Sequence, residues 1–208
     1  MSKRMQRIVI LVVAVAMLTS LGAVGVGSLL GGGPQDPTTW SSAEHPRPEI
    51  AKPELPAPVH EQTTTGATET VHALLGSYTY MMTTGDTSVW SELVDPACSV
   101  CVQFMSNAQQ LNSQGGYLLG GEFEVGEVSF DGTGDPPATG IAVAEFAQAP
   151  SAIIEEVDAE PLGLDAVTGT LELSLAWDGK VWRVTDMTLR PDEAVASDGG
   201  GASDAGQG

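Results

Sequence analysis

The spacing of hydrophobic residues changes twice along this chain of 208 residues. Residues 8–30 form an apolar run without a charged side chain. Between residues 66 and 111, apolar residues recur three and four positions apart, which is the spacing of one buried helix face. After residue 117 the spacing becomes two, as in strands that bury one face. The pattern predicts one long apolar helix, then amphipathic helices, and then strands.

Three amphipathic helices are predicted before residue 115. The first covers residues 66–84 and ends at Gly85. Asp86 can cap a short second helix, because an aspartate side chain accepts hydrogen bonds from the free N–H groups of a helix start. Asp95 and Pro96 together can open a third helix, since proline is favoured at the first helical position. Gly115 follows the last apolar residue of that helix.

Four or five antiparallel strands are predicted to follow the helices. The alternation shifts by one position near Gly126, which indicates a β-bulge. Asp178 and Gly179 separate two alternating runs and favour a two-residue hairpin turn. The fold class predicted is α+β, with three N-terminal helices packed on one face of a curved antiparallel sheet. The strand candidates are residues 123–130, 141–147, 153–157, 170–177 and 180–189.

Composition divides the chain into four segments. Residues 1–33 are predicted to form a transmembrane anchor or signal segment. Residues 34–65 are rich in proline, which has no backbone N–H to donate, and are predicted to be a disordered linker. Residues 66–190 are long enough to bury an independent core and form the predicted globular domain. Residues 191–208, rich in Gly, Ser, Ala and Asp, are predicted to be a disordered tail.

The N-terminal segment predicts export. As a helix rising about 1.5 Å per residue, the apolar run is about 35 Å long, enough to cross a bilayer. Lys3, Arg4 and Arg7 precede it and should stay in the cytoplasm, which places the domain outside the cell membrane. The alternative is a signal peptide cleaved near residues 22–27, which would release a secreted domain. No cysteine directly follows the run, so a lipid-modified N-terminus is excluded.

Net charge restricts the partners. All 27 Asp and Glu residues, but only five of the eight Lys and Arg residues, lie beyond the apolar run. Nucleic acid is therefore excluded, because its binding depends on Lys and Arg contacts to phosphate. The expected partners are the membrane, through the N-terminal helix, and an unknown extracytoplasmic protein or small ligand.

Cys98 and Cys101 are the two cysteines of the chain. In the first turn of a helix their α-carbons would lie about 5 Å apart, which a disulfide accepts. An oxidising compartment favours a structural bond. A redox-active pair is the alternative, because a helix N-terminus lowers thiol pKa values, although no thioredoxin-like βαβ pattern surrounds the pair. A zinc site would require further ligands.

Several stretches resemble known proteins. The strand that begins at Trp182, after an Asp-Gly hairpin, resembles the end of the nuclear-transport-factor-2-like cone fold. Residues 84–86, the Cys-x-x-Cys stretch of residues 95–101 and the glycine-rich residues 115–121 resemble an actinobacterial exported family catalogued as domain of unknown function 6318. The resemblance implies a cone-like fold and export, and no activity. Many members are lipoproteins, whereas this chain lacks the lipid-bearing cysteine.

Candidate chemistry is sparse. His72 is the one histidine of residues 66–190 and flanks the apolar stripe of the first helix, so it is a candidate for a pocket edge. No nucleophile elbow, phosphate loop or dinucleotide motif occurs. We predict no catalytic, cofactor or metal site. The main hypothesis is a non-catalytic extracytoplasmic binding or interaction module. The alternatives are a small-molecule enzyme of the cone-fold type with His72 or a buried carboxylate as base and, less favoured, a thiol–disulfide redox protein.

Overall fold

The computed structural model describes residues 46–156 and 161–192. The predicted anchor of residues 1–33 lies outside these ranges, and so does the predicted tail from residue 193 onward. Within the described residues, no helix combines the length and the apolar character needed to cross a membrane. The described chain has α+β architecture, with helices first and two antiparallel sheets after them. The predicted fold class is confirmed at this level.

Four helices follow a short 3₁₀ turn at Ala57–His60. The single helix predicted for residues 66–84 is two helices, which meet at Ser77. The buried Ser77 hydroxyl donates to the carbonyl of Leu74, and a side-chain bond of this kind competes with the helical backbone bonds and favours a bend. The Thr63 hydroxyl accepts from the Gly66 N–H and caps the first helix. The helices are α1 (Thr64–Gly76), α2 (Tyr78–Thr84), α3 (Ser88–Leu93) and α4 (Ser99–Ser113).

In the part of the chain that the structure describes, seven strands form two sheets instead of the one predicted. The larger sheet has the order β2-β3-β6-β7 and the smaller one β1-β4-β5. Of the smaller sheet the sequence indicated only β4, through the strand candidate at residues 153–157, because the three strands are short, and β1 and β4 are buried on both faces, which removes the alternation. The strands are β1 (Tyr117–Gly120), β2 (Phe123–Gly134), β3 (Pro137–Gln148), β4 (Ser151–Ile154), β5 (Leu162–Leu164), β6 (Val167–Trp177) and β7 (Trp182–Pro191).

Two predicted irregularities can be compared with the strand register. The pairing of β2 with β3 shifts between Val125 and Val128, which is the bulge predicted at Gly126. The predicted two-residue hairpin is wrong, because Trp177 pairs with Trp182 and leaves four residues in the turn. The Asp178 carboxylate accepts from the N–H groups of residues 180 and 181, which stabilises this wider turn.

The core lies between the helices and one face of the larger sheet. Trp90, Leu74 and Leu171 are fully buried there, and Ala142 and Ala144 are fully buried on β3. Helix α1 packs mainly against β2 and also contacts β3. Small residues on β3 let the helix lie close to the sheet. The opposite face of the sheet stays exposed.

Residues 46–60, which we call the N-terminal strap, lie on the helical side of the domain. The Arg47 guanidinium donates to the carbonyls of Gly115 and Gly116 at 3.1 and 2.8 Å, beyond the end of α4. Lys52 Nζ donates to Ser88 Oγ at 2.7 Å at the start of α3. Val59 is fully buried in the core. The boundary between linker and globular domain at residue 66 remains a prediction. The strap lies inside the predicted linker.

Candidate functional site

The exposed side of the larger sheet carries an uninterrupted set of polar and apolar side chains. Because successive residues of a strand point to opposite faces, the residues between the buried ones on β3 and β6 point away from the helices. We call this surface the outer sheet face. It consists of Ser129, Asp131, Ile141, Val143, Glu145, Thr170, Glu172, Ser174, Asp186, Thr188 and Arg190.

An apolar pair lies at the centre of this face. Ile141 is 48% exposed and Val143 36% exposed, although both belong to the middle of a strand that is paired on both sides. Asp131 lies directly opposite Ile141 on β2, and Glu172 lies directly opposite Val143 on β6. Directly opposed residues have their β-carbons about 5 Å apart. The apolar pair is therefore bordered by carboxylates.

Positive charge on the outer sheet face comes from Arg190. Its guanidinium lies 3.8 Å from the Glu172 carboxylate, and both side chains are well exposed. An exposed ion pair of this kind is weak, at about 0–1 kcal/mol. The other arginine of this strand, Arg183, donates hydrogen bonds to the Asp178 carboxylate and to the carbonyl of Val94 at the edge of the domain. The face therefore has an excess of negative charge.

An open cleft of about 510 Å³ adjoins the face at one end. It shares Glu145 and Thr170 with the face, and Glu124 and Asp192 add two further carboxylates to its lining. The Thr168 hydroxyl donates to the Asp192 carboxylate at 2.8 Å, which links β6 to the chain after β7. The lining combines acidic, hydroxyl and apolar groups.

Aromatic rings support the cleft from below. Phe146, which contributes to the lining, has its ring centroid 5.6 Å from that of Phe123. Phe123 packs edge to face on Tyr78, with centroids 5.3 Å apart, and Tyr78 contacts Phe104 of α4 in the same way. Burial raises the pKa of Tyr78 to about 12. This stack of rings packs the sheet against the helices beneath the site.

His72 lies in α1 and is partly exposed. It is not among the residues that line the cleft, and its role at a pocket edge stays a prediction. Within residues 46–156 and 161–192, no group of three or more His, Cys, Asp or Glu side chains is placed to hold a metal ion.

Cys98 and Cys101 lie at disulfide-bond distance, with α-carbons 5.3 Å apart, at the start of α4. This confirms that the pair can be bonded. Both residues are buried, at 1% and 0% exposure. The indole N–H of Trp90 donates to the Cys101 carbonyl at 3.2 Å. The surroundings suit a structural bond, while a redox role is an untested alternative.

The sequence did not predict the outer sheet face as a site. Residues 141–147 alternate Ile, Val and Glu with Ala and Phe, so both sides of the strand contain apolar residues. Such a pattern does not say which side is buried. The signal that could have located the site is Glu145, which lies on the same face of the strand as Ile141 and Val143. Because a glutamate is rarely buried, its position indicates that this face is the exposed one.

Two solved structures illustrate distant similarity. The intermembrane space region of the chloroplast protein ARC6 is 13% identical, with a TM-score of 0.48 over 62% of this chain and 97% of that one. A variant of Rv3472, a function-unknown protein from Mycobacterium tuberculosis, is 18% identical, with a TM-score of 0.37 over 61% of this chain and 72% of that one. They do not confirm the nuclear-transport-factor-2-like fold, which remains a prediction.

Sequence comparison gives the family. No curated protein matches the chain significantly. The profile of a family described as "Family of unknown function (DUF6318)" matches residues 39–188. The match covers most of the chain, including the Cys-x-x-Cys stretch and all strands except the last three residues of β7, and it confirms the resemblance noted from residues 84–121. The protein belongs to the DUF6318 family.

Proposed function

We propose that this protein is an exported, membrane-anchored module that binds an extracytoplasmic partner without chemical conversion. The N-terminal apolar run and its basic flank support a single-pass anchor with the domain outside the cell. Secretion after signal cleavage is the alternative topology. The acidity of the chain beyond the anchor suits a soluble domain displayed in an aqueous compartment.

The observation that carries the binding role is the apolar pair on the outer sheet face. One side of an antiparallel sheet that faces water is normally polar. Ile141 and Val143 depart from this pattern at the centre of the face. A contiguous exposed apolar patch that is rimmed by polar residues is one mark of an interaction surface, and this pair would form the apolar centre of such a patch.

The topology is tested with the full-length protein carrying a C-terminal tag, expressed in its host. Cells are treated with a protease that does not enter them and are then fractionated into membrane, cytoplasm and medium. We expect an intact chain in the membrane fraction whose tag is removed by the external protease. A shorter chain in the medium, cleaved near residue 25, would favour the secreted alternative. A tag protected inside intact cells would refute export.

The binding role is tested by crosslinking the same tagged protein in living cells and identifying captured proteins by mass spectrometry. As a control, Leu11→Arg and Val15→Arg place charges in the apolar run and should abolish membrane insertion. Partners that are captured only with the unaltered run support the proposal. Equal capture with the control variant would show that the partners are cytoplasmic, and the proposal would fail.

A further inference from the structure

We propose that the outer sheet face binds a basic polypeptide segment of another protein, in which an apolar side chain lies between lysines or arginines. This inference rests on the binding role proposed above and adds the chemistry of the partner. It follows from three properties of the face: its exposed apolar centre, its border of carboxylates and the acidic cleft at one end.

The apolar centre requires an apolar group on the partner. Ile141 and Val143 are two residues apart on β3, and their side chains lie on the same side of the sheet, about 7 Å apart along the strand. Covering both removes apolar surface from water, which is the main favourable contribution to association. One aliphatic side chain of the partner is large enough to contact both.

The carboxylates require positive charge around that apolar group. Asp131 and Glu172 lie one strand away from the pair on opposite sides, and Glu145 is the next outward residue along β3. Arg190 neutralises Glu172 only in part, since their charged groups are 3.8 Å apart and exposed to solvent. Glu124 and Asp192 extend the negative surface into the cleft.

The same charges disfavour the other occupants. In a symmetric dimer the two outer sheet faces would meet, which would bring the carboxylates of Asp131, Glu145 and Glu172 of one copy close to those of the other. Like charges that face each other directly are destabilising. An anionic lipid surface is repelled for the same reason. A basic polypeptide satisfies both the apolar and the charged groups.

The test uses the purified full-length protein in detergent and three fluorescent peptides of equal length. One alternates Lys with Ile or Val, the second replaces each Lys by Glu, and the third keeps Lys but replaces Ile and Val by Ser. Binding is measured by fluorescence anisotropy at 50 and 200 mM salt. We expect the first peptide to bind at least tenfold more tightly than either of the others, and its binding to weaken with salt.

Variants assign the binding to the face. Ile141→Ser with Val143→Ser should weaken binding of the first peptide at least tenfold. The matched control is Leu162→Ser with Leu164→Ser, because these leucines are 38% and 39% exposed on β5, in the other sheet. The control should change the affinity less than twofold. Glu145→Gln with Glu172→Gln should weaken binding and reduce its dependence on salt. Circular dichroism verifies that each variant is folded.

Three outcomes would overturn the inference. The first is equal binding of the peptides with and without apolar residues, which would indicate nonspecific charge attraction. The second is equal loss in the Leu162→Ser, Leu164→Ser control. The third is a dimer in sedimentation experiments that Ile141→Ser and Val143→Ser dissociate, since the occupant would then be a second copy. If cellular partners are still captured by the Ile141→Ser, Val143→Ser variant, this inference fails while the proposed function stands.

Discussion

Gly66 and Gly76 both belong to α1, but they have different surroundings. A β-carbon at Gly66 would overlap the carbonyl oxygen of Glu61 and lie 2.6 Å from that of Pro58. A β-carbon at Gly76 would have no heavy atom within 4 Å apart from its chain neighbours and the backbone of its own helix. Neither glycine has a positive φ. Alanine therefore fits the backbone at both positions, and only the neighbouring atoms distinguish the two substitutions.

We expect Gly66→Ala to lower the free energy of unfolding by about 2–4 kcal/mol. Non-bonded carbon–oxygen contacts rarely fall below about 3.3 Å, so the 3₁₀ turn must move, and overpacking of this kind costs about 1–3 kcal/mol. The movement also disturbs the 2.9 Å bond from Trp182 Nε1 to the Glu61 carbonyl. A buried donor without an acceptor costs about 1–3 kcal/mol. The better helix propensity of alanine offsets about 0.5–1 kcal/mol.

Gly76→Ala is the matched control, because it makes the same change in the same helix. It should raise the free energy of unfolding by about 0.5–1 kcal/mol. The assay is thermal unfolding followed by near-ultraviolet circular dichroism of the tryptophans. For a domain of this size 1 kcal/mol corresponds to roughly 4 °C, so Gly66→Ala should lower Tm by about 8–15 °C and Gly76→Ala should raise it slightly.

The same experiment tests the domain boundary. If Gly66→Ala unfolds at the same temperature as Gly76→Ala, the 3₁₀ turn does not pack on α1. Residues 57–63 would then belong to the linker, as the proline content suggested. A large difference places the boundary before residue 57 instead.

A disulfide, a carboxylate and a phenol each make a contribution to stability that can be measured. Cys98→Ser with Cys101→Ser should lower the free energy of unfolding, measured in urea, by about 2 kcal/mol, since the loop that the disulfide closes is short. Undiminished partner binding by the folded variant would exclude a redox role. Hydrogen bonds from Ser88 and Tyr80 lower the pKa of Asp86 to about 2, so the ionised carboxylate stabilises the folded state above pH 4, and this contribution is lost between about pH 4 and 2. Asp86→Asn should remove this part of the dependence of unfolding free energy on acid pH. An unchanged pH profile of the variant would contradict the assignment. The pKa of Tyr78 is raised to about 12, so the contribution of the neutral phenol to the free energy of unfolding is lost as the pH rises from about 10 to 12. Tyr78→Phe should make the alkaline decrease in stability smaller. An identical decrease in the variant would contradict this prediction.

The parts of the fold that were predictable are those in which one face of an element is buried and the other is not. The stripe of α1 and the alternation of β6 both have this property, and the shift from Val125 to Val128 was visible for the same reason. The smaller sheet lacks it. In β4 all four residues are buried, so its pattern is that of any short apolar stretch.

The candidate site could not be located from sequence because tertiary packing decides which side of β3 is covered. Hydrophobicity alone would bury Ile141 and Val143 and expose Ala142 and Ala144. The structure does the reverse, since the close approach of α1 favours small residues beneath it. The strap was missed for a related reason. The contact of Arg47 with Gly116 joins residues 69 positions apart, and no local pattern encodes it.

The position of the N-terminal strap determines the side of the domain to which an anchor would be attached. Arg47 and Lys52 hold the start of the described chain on the helical side, at the end of α4 and the start of α3. Residues 31–45 can reach at most about 50 Å from the bilayer when fully extended. If residues 1–33 form the proposed anchor, the tether joins the domain on its helical side. The outer sheet face, on the opposite side, would then lie away from the point of attachment and stay open to partners.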